Sequence, residues 1–249
     1  MRQNAIEQFE IKPAKGLTEG VTVSEDKTSV EVLFFGKEHK ECRLLLYRDQ
    51  KLLKKIKMFP RTEAGAPDLF GVRLCGEGIV DFLQDCEYVF EAEKQIFQDP
   101  YMKATGGRNR FGHKGKVRGK FDFSEFDWSG ERRKSIAFED MILYQCHLRG
   151  FTKHNSSGVK APGTFSGFSE KLGYLEKLGI NTVIFLPLYD FNERMEKQNG
   201  KINYWGYSGD ACYFAPKASY AANPDNAVNE CKEMIKKMHK KGMNVVLDM

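Results

Sequence analysis

Residues 178–184 read Leu-Gly-Ile-Asn-Thr-Val-Ile, and residues 241–247 read Lys-Gly-Met-Asn-Val-Val-Leu. In both, a helical pattern stops at glycine, an apolar residue and an asparagine follow, and a short apolar run closes the unit. Glycine just past a helix supplies the left-handed cap. An apolar run rich in β-branched residues reads as a strand buried in a parallel sheet. Repetition of helix and strand demands a parallel sheet with right-handed crossovers, which excludes most other folds for this half of the chain. The segment before the first repeat fits. Residues 141–148 begin with Met141, Ile142, Leu143 and Tyr144, as a strand buried on both faces would. Residues 166–178 form a helix with Phe168, Leu172 and Leu175 on one stripe, capped by Thr164 or Ser166 and stopped by Gly179. A strand at 182–186 follows. Pro224 opens a second helix, with Val228, Cys231, Ile235 and Met238 on its apolar face. Its lysines, Lys232, Lys236, Lys237, Lys240 and Lys241, lie mainly on a solvated face. A third strand spans 244–248. Loops after strands are long and loops after helices short, which puts function at the C-terminal ends of the strands.

Residues 1–102 have a different grammar. Ser29–Phe35 alternates Val30, Val32 and Phe34 on one face, and 42–47, 52–58, 69–74 and 86–91 are further short candidates. Short strands at this spacing imply a β-sandwich. Arg43, Arg48, Lys51, Lys54, Lys55 and Lys57 read as its solvent face. Residues 103–140 connect this module to the strand–helix half at 141–249. The first part of that connection, 103–120, carries seven of the 39 Lys and Arg, five glycines and no acid, so the net charge of +5 is local. A solvated linker is the better reading than a nucleic-acid site, because only Phe111 could stack on a base there. Phe121, Phe123, Phe126 and Trp128 would dock across a domain surface. No apolar run approaches the roughly 20 residues a bilayer span needs, and the first residues lack a signal-peptide pattern. The six cysteines show no metal or Cys-x-x-Cys spacing, so reduced, buried thiols in a cytoplasmic protein are expected. No cofactor is called for, and no acid cluster has a recognisable calcium-ligand spacing.

Residues 203–216 place Tyr204, Trp205, Tyr207, Tyr213 and Phe214 in fourteen positions, with Gly206 and Gly209 between them. Neither a helical nor an alternating period runs through the stretch. It reads as an ordered loop presenting aromatic faces, suited to sugar rings or bases. The alternative is a loop whose rings pack on the scaffold.

Residues 144–152 (YQCHLRGFT), 163–168 (GTFSGF), 178–187 (LGINTVIFLP), 203–207 (NYWGY), 213–216 (YFAP) and 242–248 (GMNVVLD) occur in that order. Together they resemble the α-amylase superfamily, glycoside hydrolase family 13, in its isoamylase, pullulanase and glycogen-debranching branch. Residues 70–74, 88–90 and 99–101 resemble the glycogen-binding-like β-sandwich that precedes the barrel there. The resemblance implies a sandwich followed by the first part, three strands and two helices, of a (β/α)8 TIM barrel. It implies a retaining α-glucan hydrolase, with glycogen, starch, pullulan or a maltooligosaccharide as its partner. By the same resemblance Tyr207 is similar to the tyrosine that stacks on the sugar at the cleavage point, with Trp205 and Tyr204 as pocket walls. Asp248 is similar to the aspartate that supports the site from behind. His147 and Arg149 lie on the site-bearing face, and Asp190 orders a loop near it. The spacing from Tyr207 to 213–216 is about one residue longer than the family's. The family's catalytic carboxyls resemble nothing in the chain, so no catalytic residue and no hydrolysis is expected of the chain alone, and the exposed barrel edge predicts self-association. The rival readings are a non-catalytic α-glucan-binding protein or decayed enzyme, and a small doubly wound enzyme, which the lack of a Gly-rich phosphate loop disfavours.

Overall fold

The structure is a computed structural model that describes residues 5–131, 134–194 and 201–249. The chain divides into two compact units, one of residues 1–106 and 117–123, the other of residues 107–116 and 124–249.

The first unit is built from antiparallel strands. They are β1 (Glu10–Pro13), β2 (Gly20–Val23), β3 (Ser29–Phe35), β4 (Cys42–Arg48), β5 (Lys51–Lys57), β6 (Phe59–Arg61), β7 (Ala66–Cys75), β8 (Glu87–Ala92), β9 (Gln95–Phe97), β10 (Ala104–Gly106) and β11 (Arg118–Lys120). One sheet runs β1-β7-β3-β2 with β6 on β7; the other runs β10-β11-β8-β4-β5 with β9 on β8. The alternation in the sequence sets which side chains meet. Val30, Val32, Phe34, Phe70, Val72 and Leu74 of one sheet share a buried cluster with Leu44, Leu46, Ile56, Tyr88 and Phe90 of the other. Helix α1 (Ile79–Gln84) adds Ile79, Phe82 and Leu83. β4 and β5 join through Asp49 and Gln50, both at positive φ, the geometry of a tight hairpin turn. Arg48 is not a solvent-face residue: its Nη2 donates to Phe82 O at 2.7 Å and its guanidinium lies 4.4 Å from the Phe82 ring centroid.

In the second unit β12 (Leu143–Cys146), β13 (Thr182–Phe185) and β16 (Asn244–Leu247) form a parallel sheet in the order β12-β13-β16. The strands of the two sequence repeats lie side by side, paired one residue out of the repeat's own alignment, with Thr182 opposite Asn244 and Phe185 opposite Leu247. Gly179 (φ 78°) and Gly242 (φ 70°) both take the left-handed conformation. Asn244 N donates to Asn181 O at 2.8 Å, and the Asn181 amide bonds Ile142 N and Asp140 O on its other side. Helices α2 (Leu148–Lys153), α3 (Phe165–Ser169) and α4 (Leu172–Lys177) precede β13, and α5 (Ala227–Lys240) precedes β16. Phe165, Phe168, Leu175, Met234 and Met238 pack with Val183 and Phe185 in the core of this unit.

Three local expectations are corrected. The helix expected over 166–178 is broken at Glu170 and Lys171, because Ser169 Oγ turns back to Phe165 O at 3.0 Å and glycines sit at 167 and 173. The strand at 141–148 is not buried on both faces: Leu143 is 52% exposed and Gln145 is exposed, since the core packs on the opposite face through Tyr144 and Cys146. Lys236 on α5 is buried rather than solvated, because Asp127 O accepts from its Nζ and the Phe126 ring lies beneath it.

Candidate functional site

The C-terminal ends of β12, β13 and β16 carry Gln145 and His147, Pro187, and Asp248. The segment 203–211 comes in beside them before β15 (Cys212–Pro216), which pairs antiparallel with β14 (Tyr189–Asp190). The aromatic stretch is therefore half loop and half strand. Local geometry fixes the loop. Gly206 sits at φ 96°, where a Cβ would lie 2.7 Å from Pro187 and 2.8 Å from the Phe191 ring. Asn203 clamps the turn, its Oδ1 accepting from Gly206 N at 3.2 Å and its Nδ2 donating to Tyr207 O at 3.1 Å.

Two groups of the expected site residues come together. Tyr207 Oη donates to Asp248 Oδ2 at 2.6 Å, and Gln145 Nε2 donates to the same oxygen at 3.3 Å. The carboxylate so close to the phenol pushes Tyr207 up to about 12. In the second group the His147 ring stacks on Tyr204, with centroids 4.2 Å apart and planes 11° apart, and Tyr204 meets Trp205 edge-on at 5.4 Å. His147 Nδ1 accepts from Gly150 N at 3.0 Å, so the proton of the neutral ring is on Nε2, 2.8 Å from Tyr204 O and 3.2 Å from the Tyr220 hydroxyl. Burial holds the His147 pKa below its ordinary value, against the hydrogen bond to Tyr204, which favours the charged ring. Gly150 has no side chain where one would meet Tyr204 Oη at 2.6 Å, which lets the tyrosine settle onto His147. Arg149 does not join either group; its guanidinium lies 4.5 Å from the Phe111 ring centroid. The outcome is a scaffold held from behind that leaves Trp205 (59%) and Tyr207 (49%) open to solvent.

Behind the loop is a charge cluster that sequence reasoning missed except for Asp190. Lys217 Nζ lies 2.6 Å from Glu193 Oε1, 3.1 Å from Asp190 Oδ1 and 2.9 Å from Phe191 O, and all three side chains are at most 1% exposed. Arg108 Nη1 lies 3.8 Å from Asp190 Oδ1, and its Nη2 lies 3.9 Å from Asp210 Oδ2. Residues 107–116 are therefore not a solvated linker. Arg108 is buried, Arg194 Nε donates to Gly112 O at 2.7 Å, and Phe111 packs 6.0 Å from both Tyr204 and Tyr220. Among the described residues no group of three or more His, Cys, Asp or Glu could hold a metal ion.

The family described as alpha amylase, catalytic domain, matches residues 120–249. Isoamylase 1 of Oryza sativa is 35% identical over 195 residues, which is 72% of this chain and 24% of that protein. A glycogen operon protein GlgX homolog of Haemophilus influenzae is 28% identical over 88% of this chain and 34% of its own length. A pullulanase of Paenibacillus barengoltzii, solved in complex with maltohexaose and α-cyclodextrin, superposes with a TM-score of 0.76 at 22% identity, over 95% of this chain and 38% of that one. The chain thus spans between about a quarter and two-fifths of the length of these proteins.

Proposed function

The chain belongs to the α-amylase family, on its debranching side, and from that premise we propose that it is the N-terminal portion of a retaining α-glucan hydrolase of the isoamylase or pullulanase kind. On this reading residues 1–102 are a β-sandwich module, 103–140 connect, and 141–249 open a (β/α)8 barrel. The observation that carries it is the Tyr207–Asp248 hydrogen bond at the ends of parallel strands. It tethers the hydroxyl end of a half-exposed phenol ring two residues from the exposed Trp205. A sugar ring lays its apolar C–H face on such a ring while its hydroxyls stay solvated. Tyr207 is the stacking platform, Trp205 and Tyr204 are the walls, Asp248 sets the platform's angle, and His147 fixes the wall through Tyr204. Arg149 acts one step further back, through Phe111.

Retaining hydrolysis uses two carboxyl groups about 5–5.5 Å apart. Asp248 spends its Oδ2 on Tyr207 and Gln145, which suits the supporting part given to it here. The chain alone binds glucan and hydrolyses none; the catalytic pair comes from the rest of the family's domain. The uncovered face of the sheet, with Leu143 and Val246 at 52% and 43% exposure, and the open edge strand β16 support self-association of the isolated chain. Six free cysteines support a reducing compartment.

The test uses tryptophan fluorescence, since Trp128 and Trp205 are the only two in the chain. Titration with maltohexaose gives a saturable change that is lost in Trp205→Phe and weakened in Tyr207→Ala. No response in the unsubstituted chain at millimolar sugar refutes the reading.

A further inference from the structure

The loop 107–116 closes on itself: a Cβ on Gly115 would sit 1.7 Å from Gly107 O. It is a compact Ω-like loop, a form that packs its own ends and is frequently functional. Three anchors fix it in the second unit: Arg108 among Asp190 and Asp210, Phe111 under Arg149 and beside Tyr204, and Gly112 O bonded to Arg194. Between and beyond these anchors Arg110, His113, Lys114 and Lys116 are all exposed. Their side chains have no ion pair or hydrogen bond among the described residues. Three permanent cations on this anchored loop thus face no counterion among the described residues. Lys114 is no more than about 11 Å of chain from Phe111, and Phe111 touches Tyr204, the neighbour of Trp205.

We propose that this loop is an anion site, and that its ligand is a phosphate monoester carried on the α-glucan that lies against the aromatic face. The proposal rests on the glucan reading above. Such an ester brings a charge of about −1.5 to −2 and three strong acceptor oxygens, which suits a mixed set of one guanidinium and two ammonium groups. Single-stranded nucleic acid fits less well, because the loop itself offers its bases no open phenyl ring on which to stack. Phe111, the loop's one aromatic residue, is occupied by Arg149, Tyr204 and Tyr220.

The experiment is native electrophoresis of the chain through gels containing phosphorylated amylopectin or the same polymer after phosphatase treatment. Retention is expected to be about three- to tenfold stronger on the phosphorylated polymer, and the difference to fade as salt rises. The triple variant R110Q/K114Q/K116Q is expected to lose the difference and to keep its retention on the dephosphorylated polymer. Equal retention of the unsubstituted chain on both polymers overturns the anion site and leaves the glucan reading intact. Retention on neither overturns both. A phosphate preference that survives in the triple variant, or single-stranded DNA that binds the chain as tightly as the phosphorylated polymer, also overturns it.

Discussion

Lys217→Met tests the charge cluster behind the aromatic loop. The methionine fills nearly the same volume, so the substitution isolates charge from packing. Lys217, Asp190 and Glu193 are at most 1% exposed, which leaves water unable to compensate for a missing ammonium. Without Lys217, one guanidinium, that of Arg108, faces two buried carboxylates, and its nearest approach to Asp190 is 3.8 Å against 3.1 Å for Lys217. Breaking a buried pair by removing one partner costs about 3–5 kcal/mol, which lowers the unfolding midpoint of a unit this size by on the order of 10 °C. The readout is specific, because Trp128 and Trp205 both belong to the second unit; their fluorescence follows its unfolding alone. The double variant K217M/E193Q restores the balance of one cation and one anion and is expected to be more stable than K217M. A loss below about 1 kcal/mol in K217M, or no recovery in the double variant, would show that the carboxylates are not held by charge, and the reasoning fails.

Three further outcomes follow from the site. His147 is depressed in the fold by burial, so below its ordinary 6.5 the unfolded chain takes up the proton first and stability falls as pH drops toward the depressed value; in His147→Gln that slope, measured by urea unfolding at several pH values, is expected to disappear. Asp248→Asn removes the carboxylate that raises Tyr207, and the near-ultraviolet titration of that phenol, isolated by subtracting Tyr207→Phe, is expected to move from about 12 toward 10. Gly206→Ala pushes a methyl against Pro187 and Phe191 at positive φ; a loss of about 1–3 kcal/mol is expected, together with a blunted response to maltohexaose.

What the sequence discloses depends on how local its cause is. The paired repeats are legible because a left-handed glycine, an asparagine and a β-branched run are each recognisable within seven residues, and the structure pairs their strands in parallel, one residue off the repeat's alignment. The strands of the first unit are legible where alternation lasts, as in Ser29–Phe35, and not where pairing is only three or four residues long, as in Glu10–Pro13 or Gln95–Phe97. The aromatic loop announces itself by composition, yet its shape comes from the hydrogen bonds of Asn203 and from Gly150 and Pro187, whose part is steric and nonlocal. Lysine is the clearest case. Lys217 and Lys237 share one chemistry, but Lys237 meets Glu233 one turn away at the surface while Lys217 is buried against residues 24 and more positions distant. A charged group with no access to water, such as the Lys217 ammonium, is held only where an opposite charge is buried with it. Its place is therefore decided by the fold that brings the partner, and no window of sequence around the lysine contains that information.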